Sequence, residues 1–190
     1  MFKRTIIASA VLLATSTAWA ASTGNDAFVT QYGNSNEATV KQVESSVDNR
    51  ADIYQDGNNN YALTTQENTG SSKANTIQVG NRNSGVVLQS GDTNLSTATI
   101  NTNGKRNSAS VTQQINNGSA TATINQGAVG SDANDNTATI DQNNADKASS
   151  VINQFSNHNE ATIDNYWSDF AEATVTQQGG AYRHGQSERV

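Results

Sequence analysis

The chain has little with which to do acid–base or nucleophilic chemistry and a great deal with which to make hydrogen bonds. Of its 190 residues 26 are Asn and 14 are Gln, against two His and no Cys. An amide side chain carries two N–H donors and a carbonyl acceptor but no titratable proton, so these residues can bind one another without being able to catalyse. His158 lies in the turn-like stretch Ser156-Asn157-His158-Asn159 and His184 lies near the C terminus. Neither has a Ser or Cys nucleophile at a recognisable motif spacing. Asp52, Asp141 and Asp164 fall on the outward positions of the alternating pattern described below, where a solvated charge is the ordinary outcome and a brake on premature association a sharper one. The expectation is a protein that is not an enzyme, with no catalytic residue, no cofactor and no metal. The lack of cysteine excludes a disulfide scaffold, a thiol nucleophile and a cysteine-based metal site.

The amides recur at fixed spacing. The unit Asn-x-Ala-x-(Val/Ile)-x-Gln runs from Asn25 to Gln31, Asn36 to Gln42 and Asn49 to Gln55, and returns with Thr64 at the aliphatic position from Asn60 to Gln66. Further anchors fall at Gln78, Gln89, Thr102, Gln113, Gln126, Gln142, Gln154, Asn165 and Gln177. That makes 13 units, spaced by 11 to 13 residues except for a step of 16 that holds Val129-Gly130-Ser131-Asp132.

Within a unit the small, aliphatic and amide residues occupy every second position, the period of a strand with one face turned inward. Between units lie Gly, Asn, Ser and Asp clusters such as Asp56-Gly57-Asn58-Asn59, which are turn chemistry. Each unit is therefore a strand of about six residues and a tight turn. Two units make one coil, and the predicted fold is an all-β solenoid of about six and a half strand-turn-strand coils with cross-β stacking and uncapped ends. Stacked coils repeat every ~4.8 Å, which lets inward amides form ladders that satisfy one another. The predicted ladder comprises Gln31, Asn36, Gln42, Asn49, Gln55, Asn60, Gln66, Gln78, Asn83, Gln89, Asn107, Gln113, Gln126, Gln142, Gln154, Asn159, Asn165 and Gln177. Beside it run predicted aliphatic columns of Val29, Val40, Ile53, Val87, Ile100, Val111, Ile124, Ile140, Ile152, Ile163 and Val175. Proline is absent, as expected where nearly every strand must donate backbone hydrogen bonds to a neighbour.

Residues 1–20 read as a secretory signal peptide. Lys3 and Arg4 form its positive end, Ile6 to Ala14 its apolar core and Ala18-Trp19-Ala20 its small-x-small cleavage site. The apolar core is too short for a membrane anchor, which needs about 20 residues. Residues 21–24 form a short N-terminal segment, 25–180 the repeat solenoid and 181–190 a C-terminal tail. Without Lys3 and Arg4 the net charge moves from −6 to −8, and no basic stripe exists to neutralise phosphates, so a nucleic-acid partner is not expected.

Gln31-x-Gly33-x-x-Asn36-x-Ala38-x-x-x-Gln42 and Gln55-x-Gly57-x-x-Asn60-x-Ala62-x-x-x-Gln66 resemble the repeat of the curlin family at each defining position. Gln78 to Gln89 departs by Gly85 for Ala, Thr102 to Gln113 by Thr102 for Gln, and Gln154 to Asn165 by Ser156 for Gly and Asn165 for Gln. The resemblance implies a subunit of curli, the extracellular functional amyloid of bacterial biofilms, exported through the periplasm to the cell surface. The partners it implies are other copies of the chain, a second curlin subunit, an outer-membrane secretion pore with accessory factors, and surfaces or host matrix proteins. It implies no membrane span. The reading taken is the major fibre subunit; Arg183, His184 and Arg189 resemble the more basic end of a minor, nucleating and anchoring subunit, which stands as the alternative. Two rivals of another class are an ice-binding solenoid, which needs a regular outward Thr-x-Thr column, and a monomeric surface-binding adhesin, which needs closed ends.

Overall fold

The computed structural model describes residues 4–7, 15–20, 23–43, 46–115, 118–127, 133–178 and 183–189. The insertion Val129-Gly130-Ser131-Asp132 lies outside the described residues. Sixteen strands follow one another and no helix occurs among the described residues. In chain order they are β1 (Arg4–Ile7), β2 (Thr15–Ala20), β3 (Asp26–Tyr32), β4 (Glu37–Val43), β5 (Arg50–Asn58), β6 (Tyr61–Gly70), β7 (Lys73–Asn81) and β8 (Ser84–Asn94). The second half continues with β9 (Thr97–Lys105), β10 (Ser108–Gln114), β11 (Thr121–Gln126), β12 (Thr137–Asn143), β13 (Ser149–Gln154), β14 (Asn159–Tyr166), β15 (Glu172–Gln177) and β16 (Arg183–Arg189).

The odd-numbered strands form one parallel sheet and the even-numbered strands another, each stacked in chain order. Each coil gives one strand to each sheet. Strands β3 to β15 correspond one for one to the 13 sequence units, so the protein is a β-solenoid of about six turns in these units. Beyond them β1 and β2 pair in parallel with β3 and β4, and β16 pairs with β14.

Alternation decides the burial. In β4, Ala38, Val40 and Gln42 are buried while Glu37 and Lys41 are exposed, and β10 to β12 repeat the pattern. Register carries like onto like: Val111 stands between Val87 and Ile140, and Ile124 between Ile100 and Ile152. The apolar interior nevertheless falls into two main clusters, one from Ala27 to Ala62 and one from Ala74 to Ala173. The boundary lies where Thr64 and Thr76, both fully buried, take aliphatic positions, and neither hydroxyl finds a partner. Gly85 belongs to the same locality, because a Cβ there would lie 2.9 Å from Thr76 Cγ2. The departure from Ala in that repeat thus has a steric cause.

The turns from the odd to the even sheet share one geometry. Ser35, Asn59, Arg82, Arg106, Asp135 and His158 all take left-handed φ of 55–59°, a conformation costly for residues with a Cβ. What holds them there is an axial bond: from Asn59 onward each donates its backbone N–H to the preceding coil, as Arg82 does to the Asn58 carbonyl at 2.9 Å.

Candidate functional site: the stacked amide core

The site that the sequence points to is a set of columns. Every residue of the predicted amide ladder is buried, and so is every predicted aliphatic residue except Val175, which is half-buried in the last described rung of its sheet.

The glutamine columns are continuous over long runs. In the odd sheet Gln31 Nε2 donates to Gln55 Oε1 and Gln55 to Gln78, both at 2.7 Å. In the even sheet Gln42, Gln66, Gln89, Gln113 and Gln142 form one chain with each step at 2.8 Å. Gln126, Gln154 and Gln177 resume the odd column at 3.0 and 2.9 Å. The same nitrogens also cross the coil: Gln78 donates to the Tyr61 carbonyl, Gln126 to Ser108 and Gln154 to Thr137, each at 2.9 Å. Each primary amide therefore ties its rung to the next one and one sheet to the other. Its two protons allow this in the buried interior.

Asparagine does a different job at the start of each even strand. The backbone N–H of Asn60 donates to Asn36 Oδ1, and the pattern runs on through Asn83, Asn107, Asn136 and Asn159 at 2.8–3.1 Å. The Nδ2 groups of Asn36, Asn60 and Asn83 donate forward to the carbonyls of Gly57, Gly80 and Gly104 at 2.9–3.0 Å. Those glycines explain the Gln-x-Gly signature. A Cβ on Gly57, at φ 132°, would sit 1.8 Å from the Gly80 carbonyl oxygen, and one on Gly80, at φ 111°, 2.0 Å from that of Gly104. No side chain fits where the carbonyl that asparagine must reach points at the neighbouring Cα.

Two of the unit anchors depart from the glutamine columns. Thr102 is buried in the register of Gln78 and Gln126, but its hydroxyl and Gln126 Oε1 both lack a partner, so the odd column breaks there. Asn165 stands in register with Gln142. Its Nδ2 donates to Ser150 Oγ at 2.7 Å, and Gln142 Nε2 donates to the same hydroxyl at 2.9 Å.

Sequence reasoning did not place Asn25 or Asn136 in the ladder, although both are buried and bonded along the axis. Asn136 lies six residues before Gln142, the spacing of the intact units, and the insertion ahead of it hides that match. The column at the start of the odd strands also passes from Asn25 and Asn49 to Ser72 and Ser96, whose hydroxyls accept from the backbones of Ser96 and Ala120 at 3.3 and 3.2 Å. On the outside, Asn101, Asn125 and Asn153 form a further half-buried ladder at 2.8 Å per step. The outer surface is thus more regular on the odd sheet than its mixed residue types indicate.

The ionisable groups sit on the rim. Asp52 pairs with Arg50 at 2.7 Å. Asp135 takes a bidentate bond from Arg106, which holds its carboxyl below the usual carboxylate range, and His158 Nε2 stands 3.7 Å from it. Burial pushes the Asp141 carboxyl up, against a bond from the Tyr166 hydroxyl and with the aid of nearby Asp164. Among the described residues no group of three His, Cys, Asp or Glu side chains could hold a metal ion. No helix there is long and apolar enough to cross a membrane.

No curated protein and no solved structure matches the chain. The curlin associated repeat matches it over residues 23–43 and 80–114. Those stretches hold the first two units and the Gly80–Gln114 run, and the stacked register carries the same positions through the rungs between and beyond them: the chain carries curlin associated repeats.

Proposed function

We propose that the chain is a secreted structural subunit that self-assembles into extracellular curli-type amyloid fibres for cell adhesion and the biofilm matrix, as the major fibre-forming component. The observation that carries the reading is the uniformity of the core. Glutamine, asparagine and aliphatic columns run in register through parallel rungs, so each added rung repeats the bonds of the last. Nothing in such a ladder limits its length, and terminal strands with unused backbone groups template further strands. A leader sequence and an acidic, proline-free and cysteine-free chain agree with export to the cell surface. On this reading the partners are further copies, a minor curlin subunit, the secretion pore with its accessory factors, and the surfaces or matrix proteins to which the fibre adheres.

The test is assembly of the exported chain. Thioflavin fluorescence should rise after a lag, and preformed fibres should abolish the lag. Oriented fibres should diffract at ~4.8 Å along the axis and ~10 Å across it. A monomer that stays soluble for days, with or without seeds, would refute the reading.

A further inference from the structure

The turns from the odd to the even sheet carry an outer column that lies just ahead of the left-handed residues. It holds Asn34, Asn58, Asn81, Lys105, Asn134 and Asn157. The asparagine side chains hold the turns together along the axis. Asn58 Oδ1 accepts the backbone N–H of Asn34 at 3.0 Å and Asn81 Oδ1 that of Asn58 at 3.1 Å. Asn134 takes that of Lys105 at 2.9 Å and Asn157 that of Asn134 at 2.8 Å. A lysine ammonium has no acceptor, so Lys105 forgoes the bond to Asn81 that an asparagine there would make. Stacking gives no reason for a cation at this position.

The register gathers two further cations beside it. Arg82 and Arg106 occupy equivalent left-handed positions one rung, ~4.8 Å, apart, and Lys105 adjoins Arg106. Asp135 neutralises Arg106. Arg82 and Lys105 are exposed and form no ion pair among the described residues. In a chain of net charge −6 these cations border an open groove of about 530 Å³, whose remaining lining is the amides of Asn34, Asn58, Asn59 and Asn81. No carboxylate lines it; Asp135 faces the adjoining hollow instead. The volume falls in the range that holds a ligand of several rings rather than a single small ion.

We propose that this groove binds an acidic polysaccharide, the sugar chain lying along the solenoid axis with its carboxylates on Arg82, Lys105 and Arg106 and its hydroxyls on the flanking asparagine amides. Guanidinium and ammonium groups take carboxylate oxygens in charge-assisted bonds, and an amide both donates to and accepts from a hydroxyl. Charge density excludes the other common polyanion. Duplex nucleic acid carries a charge every ~1.7 Å, more than cations set one rung apart can match, and the acidic remainder of the chain repels it. A polymer with one carboxylate per sugar is sparser and brings the hydroxyls that the amides can use. The groove lies within one copy, so the proposal stands apart from the assembly reading.

The test is binding of the soluble, leader-free chain to immobilised polygalacturonate, followed by biolayer interferometry. The Arg82→Asn/Lys105→Asn double variant places at each position the residue that a neighbouring coil already carries there, Asn59 and Asn81, so the solenoid should fold. It should bind at least ~10-fold more weakly, the loss of two charge-assisted contacts at an exposed site. Lys147→Asn, which removes a cation from the opposite edge, should bind as the native chain does. Absence of binding by the native chain, native affinity in the double variant, an equal loss in Lys147→Asn, or duplex DNA held as tightly as polygalacturonate would each overturn the proposal. Should circular dichroism show that the double variant does not fold, Lys105→Asn alone, which completes the asparagine column, decides it: several-fold weaker binding supports the groove and unchanged binding refutes it.

Discussion

Thr102 interrupts an otherwise repeating column, which makes Thr102→Gln a direct measure of what one rung of the ladder is worth. A glutamine there stands between Gln78 and Gln126 in register. It can accept from Gln78 Nε2 and donate to Gln126 Oε1, the acceptor now buried without a partner. The bond from Gln78 contributes about 0.5–1.5 kcal/mol, and the bond that satisfies the buried orphan Gln126 Oε1 recovers about 1–3 kcal/mol. Ordering the longer side chain costs up to about 2 kcal/mol. The neighbouring rungs hold glutamine at the same backbone spacing, so no large repacking cost arises. The expected net stabilisation is about 1–2 kcal/mol, which lowers the monomer concentration in equilibrium with fibres roughly 5- to 30-fold. Sedimentation followed by assay of the supernatant measures it. Thr102→Val serves as the control, since it removes the orphan hydroxyl without restoring the ladder, and it should recover only part of the gain. An unchanged or higher residual monomer concentration for Thr102→Gln, or an equal gain from Thr102→Val, would show that the axial amide bonds are not what binds the rungs.

Two further substitutions probe the turn and the rim. Gly80→Ala forces a Cβ to within 2.0 Å of the Gly104 carbonyl oxygen at a φ of 111°; strain alone costs roughly 1–3 kcal/mol, and displacing the carbonyl that Asn83 Nδ2 reaches adds to it, so residual monomer should rise at least several-fold. Asp141→Asn tests the raised carboxyl: the folded protein binds that proton more tightly than the unfolded chain does, so the native residue's penalty is present at neutral pH and is relieved as pH falls through its raised folded value. The variant should therefore be the more stable at pH 7, by less than about 1 kcal/mol at this half-exposed site, and the gap should close in acid; denaturant midpoints that fall further apart as pH drops would refute the assignment.

The interior was legible from the chain because stacking makes each column a one-letter question answered once per unit. Period-two alternation identifies which residues face inward, and the 11-to-13-residue spacing identifies which of them meet. What escaped was set by neighbouring rungs rather than by local pattern. Thr64 and Thr76 are β-branched and pass as strand residues, yet burying their hydroxyls divides the apolar core. Leu95, Ile115, Trp167 and Phe170 occupy left-handed turn positions that their own preferences disfavour. Axial backbone bonds hold them there: Leu95 donates to the Gly70 carbonyl at 2.8 Å and Phe170 to that of Asp146 at 2.8 Å. Such bonds exist only once the coils are stacked, so no local reading of a turn could find them.

The repeat also distinguishes its two amides, which composition alone would treat as equivalent. Asparagine opens the even strands because its short side chain reaches the backbone: its Oδ1 takes the next rung's N–H and its Nδ2 the next glycine's carbonyl. Glutamine closes the strands because one more methylene carries its amide to the middle of the coil, where it meets another glutamine and the facing sheet together. Asn165 supplies the natural exchange. Placed at a glutamine position, it bonds to Ser150 Oγ, the same hydroxyl to which Gln142 Nε2 donates, and Asn165 Oδ1 is left buried without a partner. Side-chain length thus decides which ladder an amide joins, and the Gln-x-Gly-x2-Asn spacing places each length on the strand end where it has something to reach.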